Sequence, residues 1–149
     1  MATNFDKFAQ EANEYINELS ADLGHPQERD RVAILLKAVL HTIRDSITIS
    51  ESFHVMSQLP TFLKGVYVEH WKYTDKPRRY ASLEEFKEAI KQEQALHGET
   101  EFDWKTSTEK LVSQILTSLG TRYLSEGQLS HIADQLPAPV KPLIPVDTE

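Results

Sequence analysis

The sequence predicts an all-α fold: a bundle of about seven helices built from two pseudo-repeated halves, each turning through a helix, a proline corner and a second helix. Three observations carry this. Apolar residues recur at steps of three and four through most of the chain, the period of a helix with one buried face. Only five glycines occur in 149 residues, too few for a loop-rich or barrel architecture. The phrase SQLPTFLK, Ser57 to Lys64, returns as DQLPAPVK, Asp134 to Lys141, and the two prolines are 137 − 60 = 77 positions apart. That interval is too long for a solenoid period and fits a duplicated half-domain.

Phe5, Phe8, Ala12, Tyr15, Ile16, Leu19 and Leu23 share one face of the first helix. Gly24 stops it by taking the left-handed conformation, and Pro26 suits the first turn of the next helix. There Val32, Leu35, Leu36, Val39, Ile43 and Ile47 form the buried face, with Glu28 to Arg31 near the start. A shorter helix carries Phe53, Met56 and Leu59 until Pro60 cuts it off, because the residue before proline is pushed out of helical geometry. Leu63, Val66 and Tyr67, with Trp71 beyond, line the next helix. A polar connector, 72–81, follows. Ser82 and Glu85 have capping-box spacing and open a helix with Leu83, Phe86 and Ile90 inward.

The second half starts near Asp103 or Thr106 and runs through Val112, Ile115, Leu116, Leu119 and Tyr123. Ser125 and Gln128 repeat the capping-box pattern, and that helix ends at the second corner, Pro137. The offset of 77 places Leu35 on Val112, Val39 on Leu116, Val55 on Ile132 and Leu59 on Leu136. His54, Gln58 and Lys64 fall on His131, Gln135 and Lys141. The halves are therefore drawn at 26–71 and 103–145 within one helical domain, 1–149. After the second corner Pro139 and Pro142 replace Phe62 and Gly65, and Pro142 removes a helical hydrogen bond. The second copy is expected to be truncated there, leaving 139–149 as a Pro-rich extended tail; prolines 139, 142 and 145 have polyproline-ligand spacing, but a stiff terminus is the plainer expectation.

With no cysteine, the chain has no disulfide framework, thiolate metal site or cysteine nucleophile, which is compatible with a reducing compartment. The opening MATNFDKFAQEANEY is acidic and amphipathic rather than signal-like, and the apolar run VAILL is far short of a membrane span, so no membrane partner and a cytoplasmic setting are expected. A net charge of −7 disfavours attraction of a polyanion by the surface as a whole.

No catalytic constellation is legible. None of the six histidines stands four residues from another with a carboxylate between, so neither a metal nor a cofactor is expected. The glycines are isolated, which excludes a phosphate loop or dinucleotide fingerprint. Glu51, Glu69, Glu84 and Glu85 read as solvated helix carboxylates before they read as general acids. His54 and His131 could meet as a pH-sensitive pair across a pseudo-twofold axis; two partly exposed helix residues are the simpler expectation. The segment TFLKGVYVEH after the first corner is too apolar to read bases as a recognition helix. The chemically distinctive stretch is the connector, where His70, Lys72, Lys76, Arg78 and Arg79 gather positive charge around Trp71, Tyr73 and Tyr80. Such a segment suits an acidic, aromatic peptide or a single nucleic-acid strand. In its plainer role Trp71 and Tyr80 pin it to the core and its cations are solvated.

AVLHTIRDSITISESFHVMSQLPTFLKGVYVEHW, the KP that follows, SLEEF, and the second LSHIADQLP together carry a likeness to a known family. With its two QLP corners and the intervening Gly65, Tyr67 and Trp71, the chain resembles, over roughly residues 5 to 145, the bacterial family catalogued as domain of unknown function 2267. That resemblance implies an all-helical fold and a bacterial cytosolic setting, and implies no reaction, cofactor or catalytic residue. The expected function is a non-enzymatic binding or regulatory module that engages a protein partner through the groove between the halves or through connector residues 70–80. The alternatives are a nucleic-acid binder using the same segment and an enzyme of unrecognised type.

Overall fold

The computed structural model describes residues 5–72, 74–99 and 103–145. Its helices are α1 (Phe5–Asp22), α2 (Arg29–Ser46), α3 (Ile49–Gln58), α4 (Thr61–Val68), α5 (Leu83–Leu96), α6 (Thr108–Arg122) and α7 (Glu126–Gln135), followed by a 3₁₀ turn (Lys141–Leu143). No strand occurs among the described residues, so the chain is an all-α bundle. No helix among them is long and apolar enough to cross a membrane.

Helix α2 is the centre, packing against α1, α4, α5 and α6. Burial on so many sides encloses polar residues too, and most such groups are matched by a hydrogen-bond partner. Arg44 donates from one terminal nitrogen to the carbonyls of Tyr67 and Glu69, both at 2.8 Å. Nε2 of His41 lies 2.6 Å from the carbonyl of Val66. These carbonyls belong to the end of α4, where the last turn runs short of backbone donors. The two α2 side chains therefore close α4 and fix its orientation.

The four side-chain caps among the described residues follow one pattern. Ser82, Ser107 and Ser125 accept from the backbone N–H of Glu85, Lys110 and Gln128, as Thr48 does from Glu51. Helix α3 packs on α7, and the contact is reciprocal. The N–H of Thr48 donates to Oε1 of Gln135 at 2.8 Å, and that of Ser125 donates to Oε1 of Gln58 at 2.9 Å. Between them Gln128 donates to Glu51 at 2.8 Å.

Several expectations change. Pro26 lies in a turn ahead of α2, which starts at Arg29, while Gly24 has the expected positive φ of 82°. Phe5 and Phe53 are 73% and 61% exposed rather than core. On α3 the inward face is instead Ser52, Val55 and Leu59 with Glu51, because that face meets α7 and the Tyr67 hydroxyl, 2.8 Å from Ser52 Oγ. Beyond Pro137 the chain is not an extended tail up to residue 145. It turns through 138–140 into the 3₁₀ segment, burying Val140, Leu143 and Ile144, and Ser113 Oγ donates to the Leu143 carbonyl at 2.7 Å. Residues 146–149 of that segment lie outside the described residues.

The α5–α6 connection carries a latch that spacing did not reveal. The Trp104 ring stacks on His25 at 3.8 Å between centroids, and its Nε1 donates to Glu28. Arg31 pairs with Glu99 at 2.8 Å and with Asp103 at 2.9 Å, which holds the Asp103 carboxyl below its ordinary value.

Candidate functional site

The connector leaves α4 through His70, whose φ of 56° is left-handed and turns the chain away from the helix axis. It is tied back where the Arg78 N–H donates to the Asp45 carbonyl at 2.7 Å. Between these points it arcs over the C-terminal ends of α2 and α5 and encloses a pocket of about 700 Å³. His70, Lys72, Lys76 and Arg78 form the connector wall. Arg44 and Asp45 come from α2, Glu93 and Leu96 from α5, and His97 from the residue that caps it. Leu96 is 77% exposed, an apolar edge on an otherwise polar rim.

The eight candidate residues of the connector thus divide by role. His70, Lys72, Lys76 and Arg78 face one cavity. Trp71 is half-buried, edge-on to Tyr67 at 5.9 Å with the Arg44 guanidinium 5.7 Å from its ring. Tyr80 is buried edge-on to Phe86 at 5.3 Å, beneath the Arg78 guanidinium at 5.2 Å. Arg79 turns away and donates to the carbonyl of Gln135 at the end of α7, at 2.7 Å. Tyr73 lies outside the described residues. The pocket lies between α2, α5 and the connector, whereas α3 and α7 pack directly on each other. Of the corner residues, Pro60 precedes α4 and Pro137 precedes the final turn.

At the α2–α5 side of the pocket three side chains converge that sequence spacing did not bring together. His41, Glu93 and His97 each offer a ligand atom within 4.8 Å of the other two. Nδ1 of His41 is 3.5 Å from Oε2 of Glu93, and Nε2 of His97 is 3.9 Å from the same oxygen. Burial, reinforced by His41 and Lys37, holds the His97 imidazole below its ordinary pKa, so the neutral ring is favoured. His97, the residue after α5, stands four beyond Glu93, a signal within reach of the sequence; the third group is on α2, 52 residues before Glu93. A search for paired histidines passes over it.

His54 and His131 do approach a common point. Their Nδ1 atoms lie 3.4 and 3.8 Å from the two oxygens of Glu51, which is buried while both rings are 65% exposed. They share a carboxylate rather than meeting each other.

A family model described as "Uncharacterized conserved protein (DUF2267)" matches residues 12–143. No curated protein matches the chain.

Proposed function

The chain belongs to the DUF2267 family of uncharacterized conserved proteins, and from that premise we propose that it is a non-enzymatic binding module whose connector pocket receives an acidic segment of a protein partner. The observation that carries this reading is a concentration of cations around a cavity in a protein of net charge −7. Lys72 and Lys76 are exposed, and neither ammonium has a carboxylate partner among the described residues. Carboxylates entering the pocket would find two unpaired ammonium groups and the Arg78 guanidinium, while Leu96 offers contact for a neighbouring apolar side chain. The lining holds two carboxylates, Asp45 and Glu93, against four cations, Arg44, Lys72, Lys76 and Arg78, and a cleft with an excess of one sign of charge concentrates ligands of the other.

Binding of a single nucleic-acid strand is the weaker reading, because it needs aromatic faces free for stacking. Trp71 and Tyr80 are engaged with Tyr67, Arg44, Phe86 and Arg78 instead. The reciprocal bonds of Gln58 and Gln135 support reading α3 and α7 as equivalent elements of a duplicated unit, and no residue of the second half, 103–145, lines the pocket.

The test is titration of a fluorescent peptide of alternating glutamate and leucine into the protein and into a Lys72→Glu/Lys76→Glu variant. Binding that falls at least about tenfold in the variant supports the pocket, since two favourable contacts become repulsive. Equal affinity for both proteins, or none for either, rejects it. Reversing Arg78 and Arg79 is less clean, because Arg79 also ties the connector to α7.

A further inference from the structure

We infer that Nδ1 of His41, a carboxylate oxygen of Glu93 and Nε2 of His97 form a three-residue site for a divalent transition metal of the zinc class. The argument begins with the tautomer of His41. Its Nε2 lies 2.6 Å from the carbonyl of Val66, which only accepts, so the proton sits on Nε2. In the neutral ring Nδ1 then carries a lone pair, and it faces a carboxylate oxygen at 3.5 Å. Two acceptors facing each other in a site where His41 is 1% exposed require positive charge between them.

A proton on Nδ1 answers that contact but not the third group. Nε2 of His97 is buried with no hydrogen-bond partner, and its 3.9 Å separation from Glu93 is beyond hydrogen-bond reach. One ion placed among the three atoms satisfies all of them. Zinc bonds of 2.0–2.1 Å in tetrahedral geometry put neighbouring ligand atoms about 3.3–3.5 Å apart. The His41–Glu93 edge already has that length, and the His97–Glu93 edge is within about half an ångström of it.

The surroundings have the features of a ligating shell. A ligating histidine ordinarily donates its second ring N–H to a carbonyl or carboxylate, which orients the ring, and the Val66 carbonyl does this for His41. His41 sits on α2 and Glu93 on α5, two helices packed on each other, and His97 is the residue that caps the end of α5. Two imidazoles with one carboxylate suit zinc and its neighbours and disfavour calcium or magnesium, which prefer all-oxygen sets. Three protein ligands leave a position for water or for an acidic group, and Glu93 and His97 line the same pocket as Lys72. The site does not depend on the peptide reading, because the lysines are not among its ligands.

The experiment is a Zn²⁺ titration of untagged protein followed by the imidazole proton resonances, with calorimetry for affinity. One equivalent is expected to shift His41 and His97 while His54 and His131 stay in place, and His97→Ala and Glu93→Ala to weaken binding at least about 100-fold. Mg²⁺ should move none of these resonances. The Lys72→Glu/Lys76→Glu variant should retain Zn²⁺ whatever it does to the acidic peptide, which separates the two hypotheses. Shifts confined to His54 and His131, unchanged affinity in both alanine variants, or no high-affinity equivalent in the wild type would overturn the site. Should an alanine variant lose its helical circular dichroism, the resonances of the wild type alone decide.

Discussion

Arg44 shows how a charged side chain comes to sit 4% exposed at the heart of this fold. It is held by two carbonyls of the α4 end, by Asp45 at 2.9 Å and by the Trp71 ring, so its burial is matched by partners. Arg44→Ala would leave carbonyls and Asp45 without their donor, and is expected to lower stability by about 3 kcal/mol in urea denaturation. Arg44→Lys should recover part of this, since it keeps the charge but lacks the planar fork. Tyr15 makes a pH-dependent contribution. Burial pushes its phenol up to about 12, against an opposing hydrogen bond to Ser118. With the folded pKa raised, the contribution is fully present below the unfolded value near 10 and is lost as pH rises through the folded one. The difference of about two units corresponds to about 3 kcal/mol. Wild type should therefore lose stability more steeply than Tyr15→Phe as pH goes from about 10 to about 12. Equal slopes in paired melts would assign the alkaline loss to other groups.

The last segment behaves as an element rather than a tail. Val140, Leu143 and Ile144 are each less than 9% exposed and pack beside α6, where Ser113 holds the Leu143 carbonyl. A chain ending at Pro137 should thus lose about 4.5–6 kcal/mol, taking roughly 1.5–2 kcal/mol for each of the three side chains. A change below about 1 kcal/mol in chemical denaturation would mean that the segment adds little. Its prolines made it read as extended because Pro142 forbids an α-helix, yet the first turn of a 3₁₀ segment needs no N–H from it. The helices themselves were legible: three-and-four spacing marked the core of α2, α5 and α6, and Ser82 and Ser125 marked two helix starts. Spacing misplaced Phe5 and Phe53 because it reports a face without reporting what covers it. The candidate site was legible only in part. Connector composition singled out His70, Lys72, Lys76 and Arg78, but the separation of these from Trp71, Arg79 and Tyr80 is set by which ones pack on other helices. His41 lay hidden in the apolar stripe of α2, since its partnership with Glu93 and His97 exists only once α2 and α5 are packed.

For the molecule as a whole, net charge and local charge oppose each other. The chain carries −7, so its distant field repels an acidic partner, and attraction sets in only where Lys72, Lys76 and Arg78 surround the pocket. Added salt weakens both effects: it screens the repulsion over a Debye length of about 10 Å at about 0.1 M, and it competes with the contacts. Partial cancellation follows. Affinity for the glutamate–leucine peptide should fall by about tenfold or less between roughly 50 and 200 mM salt, as two or three local contacts imply. A strand of nucleic acid gripped at six or more phosphates would instead lose about a thousandfold over that range through counterion release. The same titration on Lys72→Glu/Lys76→Glu should invert the sign, with residual peptide binding improved by salt, because the repulsion to be screened would then outweigh the contact left to Arg78. A steep loss with the wild-type protein would move the assignment from an acidic peptide to a polyanion, and would place recognition on a surface wider than this pocket.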